Sequence, residues 1–161
     1  NRFVMISTGQ IETFREDGGR DALARAVDVI DSGRCLGVFP EGTRSRREAP
    51  PLLQPAKTGF ARLAARFPNV PVVPVTMSIG AREFMPPGSK FPKPWKRIDL
   101  IVDDPLTFAE WAQHPQGGGI DDHWVDEIAE LGVEQRQDSM RALYRKFADQ
   151  FIETQKMRGA P

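Results

Sequence analysis

Short apolar runs alternate with helical periods along the first half of this chain, and this alternation limits the possible folds more than any other feature. Apolar runs at residues 3–6, 35–39 and 70–79 predict three strands. Between them, apolar residues at spacings of three and four predict helices over Arg20–Asp31 and at about 57–66. The strand–helix–strand order favours a parallel sheet with helices packed on its faces.

The second half of the chain is predicted to be mainly helical. Residues 98–102 predict one more short strand, and Thr107 with Glu110 three residues later is a capping-box pattern that opens a helix. From 122 to 157, apolar residues recur at spacings of three and four. This spacing predicts one helix, or two with a break near Gly132.

Length and composition fit one globular domain, since the chain has 161 residues of which 40% are apolar and 27% charged. We expect an α/β domain over residues 1–161, with a mixed, largely parallel sheet flanked by helices and a helical C-terminal extension at 122–157. The longest near-apolar run, at 70–79, is about half of a membrane span of roughly 20 residues. The single cysteine, Cys35, is predicted to be a small buried core residue.

Positive charge is concentrated in one window of an otherwise balanced chain. Twenty-two basic and twenty-two acidic residues give a net charge of zero, so the overall charge predicts no polyanionic partner. Within residues 41–97, however, eleven residues are basic and three are acidic. We therefore expect anionic ligands or membrane lipid to bind within this window.

The sharpest motif is Phe39-Pro40-Glu41-Gly42-Thr43-Arg44-Ser45, which directly follows the strand predicted at 35–39. Ligand sites in open α/β sheets lie beyond the carboxyl ends of strands. Gly42 allows the backbone to approach an anion, and Arg44 offers a planar cationic fork that matches phosphate. The alternative is a polar surface turn. The predicted substrate-binding residues of this loop are Glu41, Gly42, Thr43, Arg44 and Ser45.

Two further cations are candidates for the same anion site. Arg15 follows a turn-forming segment at Gly9 and could supply the second arm of a phosphate clamp, although it could equally be a surface arginine among acidic neighbours. Lys57 opens the predicted helix at 57–66, where its side chain and the free backbone amides could meet an anion. Its alternative is a solvated lysine, because cations are disfavoured at that end of a helix.

Three blocks in order resemble a known family. Residues 9–15 are similar to its second block, 39–45 to its third and 70–75 to its fourth. On these blocks the chain resembles the lysophospholipid and glycerol-phosphate acyltransferases. The resemblance implies a glycerol-3-phosphate acyltransferase-like fold and transfer of a fatty acyl group from acyl-CoA or acyl carrier protein to a lysophospholipid or glycerol-phosphate hydroxyl. It also implies that no metal or redox cofactor is used. The expected acceptor is 1-acylglycerol-3-phosphate.

The first block of that family, an Asn-His followed by four variable residues and an Asp, is not matched. The resemblance implies that its histidine is the general base, whereas His114 and His123 lie downstream of the other blocks. We therefore expect no catalytic residue in the chain as given, the His/Asp pair upstream, and no activity from this chain alone. One alternative is a non-catalytic domain that binds lipid phosphate. A phosphate-ester enzyme would need Glu41 as its acid or base.

The loop at residues 84–97 interleaves aromatic and cationic residues and contains no acidic one. Such a stretch is typical of lipid headgroup regions, although it could also be a solvated Pro-rich loop. We expect a peripheral position on the cytoplasmic side of a membrane. No nucleic-acid-binding signature is present, and no histidine or cysteine spacing predicts a metal site. The predicted membrane-contact residues are Phe91, Lys93, Trp95 and Lys96.

Overall fold

The structure is a computed structural model, and the chain forms two compact units, residues 1–38 and 39–161. The strand predicted at 3–6 lies outside the described residues. The expected single domain over the whole chain stays a prediction. The residues that the structure describes are 9–11, 20–43, 45, 47, 49, 52–86 and 88–160.

The first unit contains helix α1, Arg20–Asp31, as its sequence predicts. Ala26 lies on the apolar face of the helix and is buried. Past the last turn, the N–H of Gly33 donates to the carbonyl of Ile30 over 2.9 Å. Hydrogen bonds of this kind satisfy carbonyl groups that a helix end otherwise leaves without a donor.

The strand predicted at 35–39 is wrong, because these residues are irregular. An apolar run becomes a strand only when a neighbouring backbone supplies its hydrogen bonds, and within the described part of the chain no strand pairs with this run. Cys35 and Val38 are exposed as a result. The prediction that Cys35 is a buried core residue is therefore also wrong.

The second unit is a mixture of helices and a small sheet. The helices predicted near 57–66 and after Thr107 are confirmed, and the predicted break at Gly132 separates two C-terminal helices. In chain order its elements are α2 (Gly59–Arg66), β1 (Val75–Ile79), α3 (Ala81–Phe84), β2 (Asp99–Val102), α4 (Phe108–Gln113), α5 (Asp122–Glu130) and α6 (Val133–Met157).

The described strands, β1 and β2, pair antiparallel, so a largely parallel sheet is not shown. A parallel pair needs a crossover connection, usually a helix that spans the sheet; the connection at 80–98 is long enough, but its described residues form only the one-turn helix α3. Gly80 follows β1 with φ +85°, and a side chain there would collide with the carbonyl of Arg97. The chain that leaves β1 therefore lies in close contact with the chain that enters β2.

The strand predicted at 70–79 is shorter in the structure, where β1 begins only at Val75. Pro71 and Pro74 have no N–H to donate to a neighbouring strand. Val72, between them, forms an isolated antiparallel bridge with Leu106. The two prolines thus confine regular pairing to the second half of the apolar run.

The two faces of this sheet differ in exposure. Thr76 is buried on one face. On the other face the cross-strand pairs Val75–Val102 and Met77–Leu100 are exposed, from 39% for Met77 to 65% for Val102. The apolar side chains of β1 and β2 are therefore left open on one side of the pair.

The main core lies where α2, α4 and α6 meet. The ring of Phe147 lies 4.8 Å from that of Trp111 and 5.3 Å from that of Phe108, measured between centroids. The indole Nε1–H of Trp111 donates to Oε1 of Gln150 over 2.7 Å, which satisfies the polar end of a buried ring. Phe60 of α2 packs against the same cluster.

Helix α4 opens with the predicted capping box. The Thr107 hydroxyl oxygen accepts the Glu110 N–H over 3.1 Å, and Oε2 of Glu110 accepts from the N–H and the hydroxyl of Thr107 over 2.9 and 2.6 Å. Bonds donated to a carboxylate favour its charged form. Both bonds from Thr107 lower the pKa of Glu110 below its ordinary value, the side-chain bond more than the backbone bond.

Candidate functional site

Backbone hydrogen bonds join the motif loop at residues 39–45 to the segment that leads into α2. The N–H of Gly42 donates to the carbonyl of Phe39 over 3.0 Å and closes a turn. The N–H of Lys57 donates to the carbonyl of Pro40 over 2.8 Å. The backbone of Lys57 is therefore fixed beside the motif, although seventeen positions of sequence separate it from Pro40.

Gly42 and Lys57, both predicted to bind an anion, lie side by side. Gly42 has φ +66°, a left-handed conformation that glycine adopts without steric cost. A β-carbon on Gly42 would lie 3.1 Å from Cδ and 3.7 Å from Nζ of Lys57. The lysine side chain occupies the space that glycine leaves, and its ammonium group stays exposed beside the turn.

The carboxylate of Glu41 closes the other side of the loop. Its Oε2 accepts the backbone N–H of Gln54 over 2.7 Å, and the residue is partly buried. A charged acceptor makes this a strong hydrogen bond. In this structure Glu41 holds the shape of the loop, which is a positioning role that the sequence motif does not itself reveal.

The segment before α2 is anchored on α6. Ala56 is 2% exposed and packs with Ala148 and Ile152. The guanidinium group of Arg145 donates to the carbonyl of Ala56, and its Nε lies 3.4 Å from the Asp149 carboxylate. These contacts fix the position from which Lys57 extends.

Sequence reasoning did not single out Arg145. A signal was present, since Arg145 precedes Ala148 by three residues and Ile152 by seven, a spacing that puts all three on one helix face. An arginine on the buried face of a helix needs partners for its donors. One of the terminal nitrogens of Arg145 finds a partner in the carbonyl of Ala56, at the end of the site segment.

The remaining predicted residues of the anion site are only partly described. Thr43 is exposed, and the Ser45 hydroxyl oxygen accepts the Arg47 N–H over 3.3 Å. Arg44 and Arg15, the two predicted arms of a phosphate clamp, lie outside the described residues. Their part in the site stays a prediction.

The two histidines lie on elements that follow the motif loop in the chain. His114 ends α4, where its Nδ1 accepts the Gln116 N–H over 3.2 Å, and His123 lies in the first turn of α5. Both are exposed. Over the described ranges of the chain, no cluster of three or more histidine, cysteine or carboxylate side chains could hold a metal ion.

The predicted membrane-contact residues lie together on one exposed loop. Phe91 and Trp95 are 78% and 76% exposed. The Lys93 N–H donates to the carbonyl of Phe84 over 2.7 Å, and Nζ of Lys96 lies 3.1 Å from the Glu83 carboxylate. Among the described helices, none is long and apolar enough to span a bilayer.

Comparison with known proteins finds a family match and two plant relatives. Residues 2–78 match the acyltransferase family. Over 86 residues the chain is 40% identical to a chloroplastic 1-acyl-sn-glycerol-3-phosphate acyltransferase of Brassica napus, a match that covers 53% of this chain and 24% of that protein. Over 112 residues it is 28% identical to an N-acylphosphatidylethanolamine synthase of Arabidopsis thaliana, covering 65% of this chain and 39% of that protein.

No solved structure matches the chain. The chain spans well under half of the length of either plant relative. The blocks at 9–15, 39–45 and 70–75 all lie inside the matched residues, which also include Lys57. The resemblance drawn from these blocks is thereby confirmed, since residues 2–78 of this chain match the acyltransferase family and the chain is similar to a plant acyltransferase.

Proposed function

We propose that the motif loop of this chain binds the acceptor phosphate in an acyl transfer that converts 1-acylglycerol-3-phosphate to phosphatidic acid. The observation that carries the proposal is the contact between Gly42 and Lys57, inside the part of the chain that matches the acyltransferase family. It supports an anion site because the exposed Lys57 brings an ammonium group beside Gly42, the one position of the turn without a side chain. Such a pair suits a phosphate monoester.

The proposed division of labour follows from charge and geometry. Lys57 supplies a point charge, and Arg44 supplies a planar fork that binds two phosphate oxygens. Thr43 and Ser45 add hydroxyl groups. Held in this way, the acceptor presents its free hydroxyl in one orientation. In general, fixing the orientation of two reactants can lower the activation free energy by up to about 7 to 11 kcal/mol.

The reaction itself is a transfer of one acyl group. A general base takes the proton of the acceptor hydroxyl, the oxygen attacks the thioester carbonyl, and the carrier leaves as its thiol, from either acyl-CoA or acyl carrier protein. By the resemblance given above, the base is the histidine of the first family block, and no residue of this chain is assigned to it. The proposal needs no redox cofactor, because the transfer neither oxidises nor reduces either substrate, and it includes no metal.

Glu41 is assigned a positioning role. Its carboxylate is engaged by the Gln54 N–H at 2.7 Å, so it closes the loop around the anion site. A phosphate-ester enzyme would need this carboxylate as acid or base. The observed hydrogen bond favours the positioning role.

The acceptor is the finer part of the proposal. The name of the Brassica relative indicates 1-acyl-sn-glycerol-3-phosphate, and that of the Arabidopsis relative indicates N-acylation of phosphatidylethanolamine. Both are glycerol phosphate esters, but the first offers a hydroxyl and the second an amine. The higher identity of the first favours the hydroxyl. Because acceptor and product reside in bilayers, the proposed location is peripheral, on the cytoplasmic side of a membrane.

A non-catalytic domain that binds lipid phosphate is the second candidate. It is favoured by one observation, the place of the two histidines on α4 and α5, where His114 is engaged by the Gln116 N–H. This candidate keeps the anion site and omits the thioester donor. Donor binding therefore separates the two candidates.

The experiment compares binding of lysophosphatidic acid and of a monoacylglycerol with the same acyl chain, below their critical micelle concentrations. The proposal predicts at least about tenfold tighter binding of the phosphate-bearing lipid, the effect of one charge-assisted hydrogen bond. Equal affinities would overturn it. Binding of a thioether analogue of acyl-CoA supports the enzyme, whereas phosphate-dependent binding of the acceptor without any donor binding supports the second candidate.

A further inference from the structure

Two large aromatic side chains stand exposed on a loop that is itself well fixed. The hydroxyl of Ser89 donates to the carbonyl of Phe91 over 2.7 Å, and the N–H of Lys96 donates to the carbonyl of Lys93 over 3.0 Å. Phe91 and Trp95 nevertheless remain 78% and 76% exposed. A loop held in place loses little conformational freedom when it docks, so burying these rings on a partner is favourable.

The charge around the rings has one sign. The described stretch 88–97 contains Lys90, Lys93, Lys96 and Arg97 and no acidic residue. Lys96 forms an ion pair with Glu83, and Arg97 forms one with Asp99. Within the described part of the chain, no carboxylate pairs with Lys90 or Lys93. Two cations are thus available to a partner beside the exposed rings.

An open groove continues this surface. It is lined by three cations and one carboxylate, which leaves an excess of positive charge. The carboxylate, Glu83, is engaged by Lys96 at 3.1 Å, and the guanidinium group of Arg82 donates to the carbonyl of Arg47. The lining residues are Arg82, Glu83, Pro86, Lys93 and Lys96.

We propose that the stretch 88–97 docks on a bilayer that carries anionic phospholipid. In this arrangement Phe91 and Trp95 enter the interface, while Lys90 and Lys93 meet lipid phosphates. Charge complementarity argues for this partner, because exposed rings and unpaired cations lie within one stretch of ten residues. A bilayer offers anionic headgroups to the cations and hydrocarbon to the rings. The inference goes beyond the proposed acyl transfer, since docking needs neither acceptor nor donor.

The electrostatic part is tested by co-sedimentation with phosphatidylcholine vesicles, with and without phosphatidylglycerol. A Lys90→Gln, Lys93→Gln variant should bind the anionic vesicles about thirtyfold more weakly at low salt, from roughly fivefold for each cation near the surface. The matched control, Arg136→Gln with Lys146→Gln, removes two exposed cations of α6 and should bind like the wild type. Circular dichroism checks that both variants are folded.

The contribution of the aromatic rings to vesicle binding is recognised by its independence of salt. A Phe91→Ala, Trp95→Ala variant should lose about tenfold in binding at both low and moderate salt, because burial of apolar surface is not screened. Its control, Val133→Ala with Met157→Ala, shortens two side chains of α6 that are 66% and 79% exposed and should leave binding unchanged. Undiminished binding by the folded aromatic variant would overturn the proposal.

Tryptophan quenching locates the insertion directly. With brominated acyl chains in the vesicles, fluorescence of the wild type should fall, whereas a Trp95→Phe variant should still bind but lose most of the quenching. Of the other two tryptophans, Trp111 is 6% exposed in the core and Trp124 is half-buried on α5, outside the proposed docking stretch, so both should contribute little to the quenching. Equal quenching in wild type and Trp95→Phe, or no vesicle binding by the folded wild type, would overturn the proposal. Phosphate-dependent binding of lysophosphatidic acid remains testable in either case, so the two proposals fail separately.

Discussion

The side chain of Lys57 lies across Gly42, with Cδ 3.1 Å from where a β-carbon of Gly42 would be. Fifteen positions of sequence separate the two residues, and the loop between them is tied at both ends by backbone hydrogen bonds. The glycine thus has two functions, to adopt φ +66° and to leave room for the lysine. This relationship makes the anion site testable at a residue that carries no charge.

The first prediction is that Gly42→Ala weakens binding of lysophosphatidic acid as well as stability. The left-handed conformation costs an alanine about 1 kcal/mol, and the new methyl group must also displace Lys57. Urea unfolding and lipid titration measure the two effects. Gly159→Ala is the matched control, since Gly159 has φ +84° with nothing near its β-carbon position. It should cost similar stability and leave lipid affinity unchanged; a similar affinity loss in both variants would refute the steric argument.

A second prediction separates a positioning role of Glu41 from an acid or base role. Glu41→Ala leaves the partly buried Gln54 N–H without its acceptor and should destabilise the chain by about 1 to 3 kcal/mol. Glu41→Gln keeps an acceptor oxygen and should recover most of the stability and of the lysophosphatidic acid affinity. If Glu41→Gln binds as poorly as Glu41→Ala despite recovered stability, the carboxylate charge itself is needed at the site and the positioning role is wrong.

The third prediction concerns the capping box of α4 and its pH dependence. Thr107→Ala should lower the free energy of unfolding by about 1 kcal/mol at neutral pH, whereas Thr107→Ser should retain most of it. The pKa of Glu110 is lowered in the folded chain, so its stabilisation is present above the ordinary value of 4.5 and is lost as the pH falls through the folded value.

Denaturant titrations of wild type and Thr107→Ala from neutral pH down past 4.5 measure this dependence. The difference in unfolding free energy between them should shrink on acidification, because a protonated Glu110 no longer accepts the hydroxyl bond as an anion. A difference that stays constant across the titration would show that the Thr107–Glu110 pair is not linked to proton binding.

Helices were predictable from the sequence because their information is local. Arg20–Asp31 shows apolar spacing along its length, and Thr107 with Glu110 marks the start of α4 by residue type alone. The break at Gly132 is equally local. In each case the residues that decide the structure lie within a few positions of one another.

Strands were less predictable because a strand depends on a partner elsewhere in the chain. The apolar run at 35–39 reads as a buried strand, yet Cys35 is exposed and no described strand pairs with the run. The run at 70–79 pairs only from Val75 onward. The apolar pattern shows that a run can form a strand. Whether β1 and β2 pair parallel or antiparallel depends on the path of the connection at 80–98 between them.

The residues of the candidate site were predictable from the sequence, whereas the contacts between them were not. Residue chemistry alone identifies the loop at 39–45 and Lys57 as candidates for an anion site. It does not predict that Lys57 contacts Gly42, because this contact depends on the path of the chain through segment 52–56. Arg145 escaped notice because its partner is the backbone of Ala56, a contact across 89 positions of sequence. The spacing of Arg145 with Ala148 and Ile152 places it on the buried helix face, but it does not identify a carbonyl partner so far away.

The fourth prediction concerns catalysis by these 161 residues. Neither histidine lies in an Asn-His-x4-Asp block, so acyl transfer should be slower than in a related acyltransferase that has the block by more than about 10²- to 10⁴-fold, the usual effect of losing a general base. An assay with acyl-CoA and lysophosphatidic acid measures it. Turnover at an ordinary rate by the unmutated 161 residues would show that the base is one of their own residues and that the assignment is wrong; a His114→Ala, His123→Ala variant would then show whether it is one of these two histidines.

The central claim is that the motif loop binds phosphate, and Arg44→Lys tests it most directly. An ammonium group keeps the charge but cannot form the planar pair of hydrogen bonds, so affinity for lysophosphatidic acid should fall by roughly tenfold to a hundredfold. Affinity for the matched monoacylglycerol should be unchanged. The control Arg136→Lys, at an exposed position of α6, should alter neither affinity. If Arg44→Lys lowers both affinities equally, or neither, the loop does not hold the acceptor phosphate.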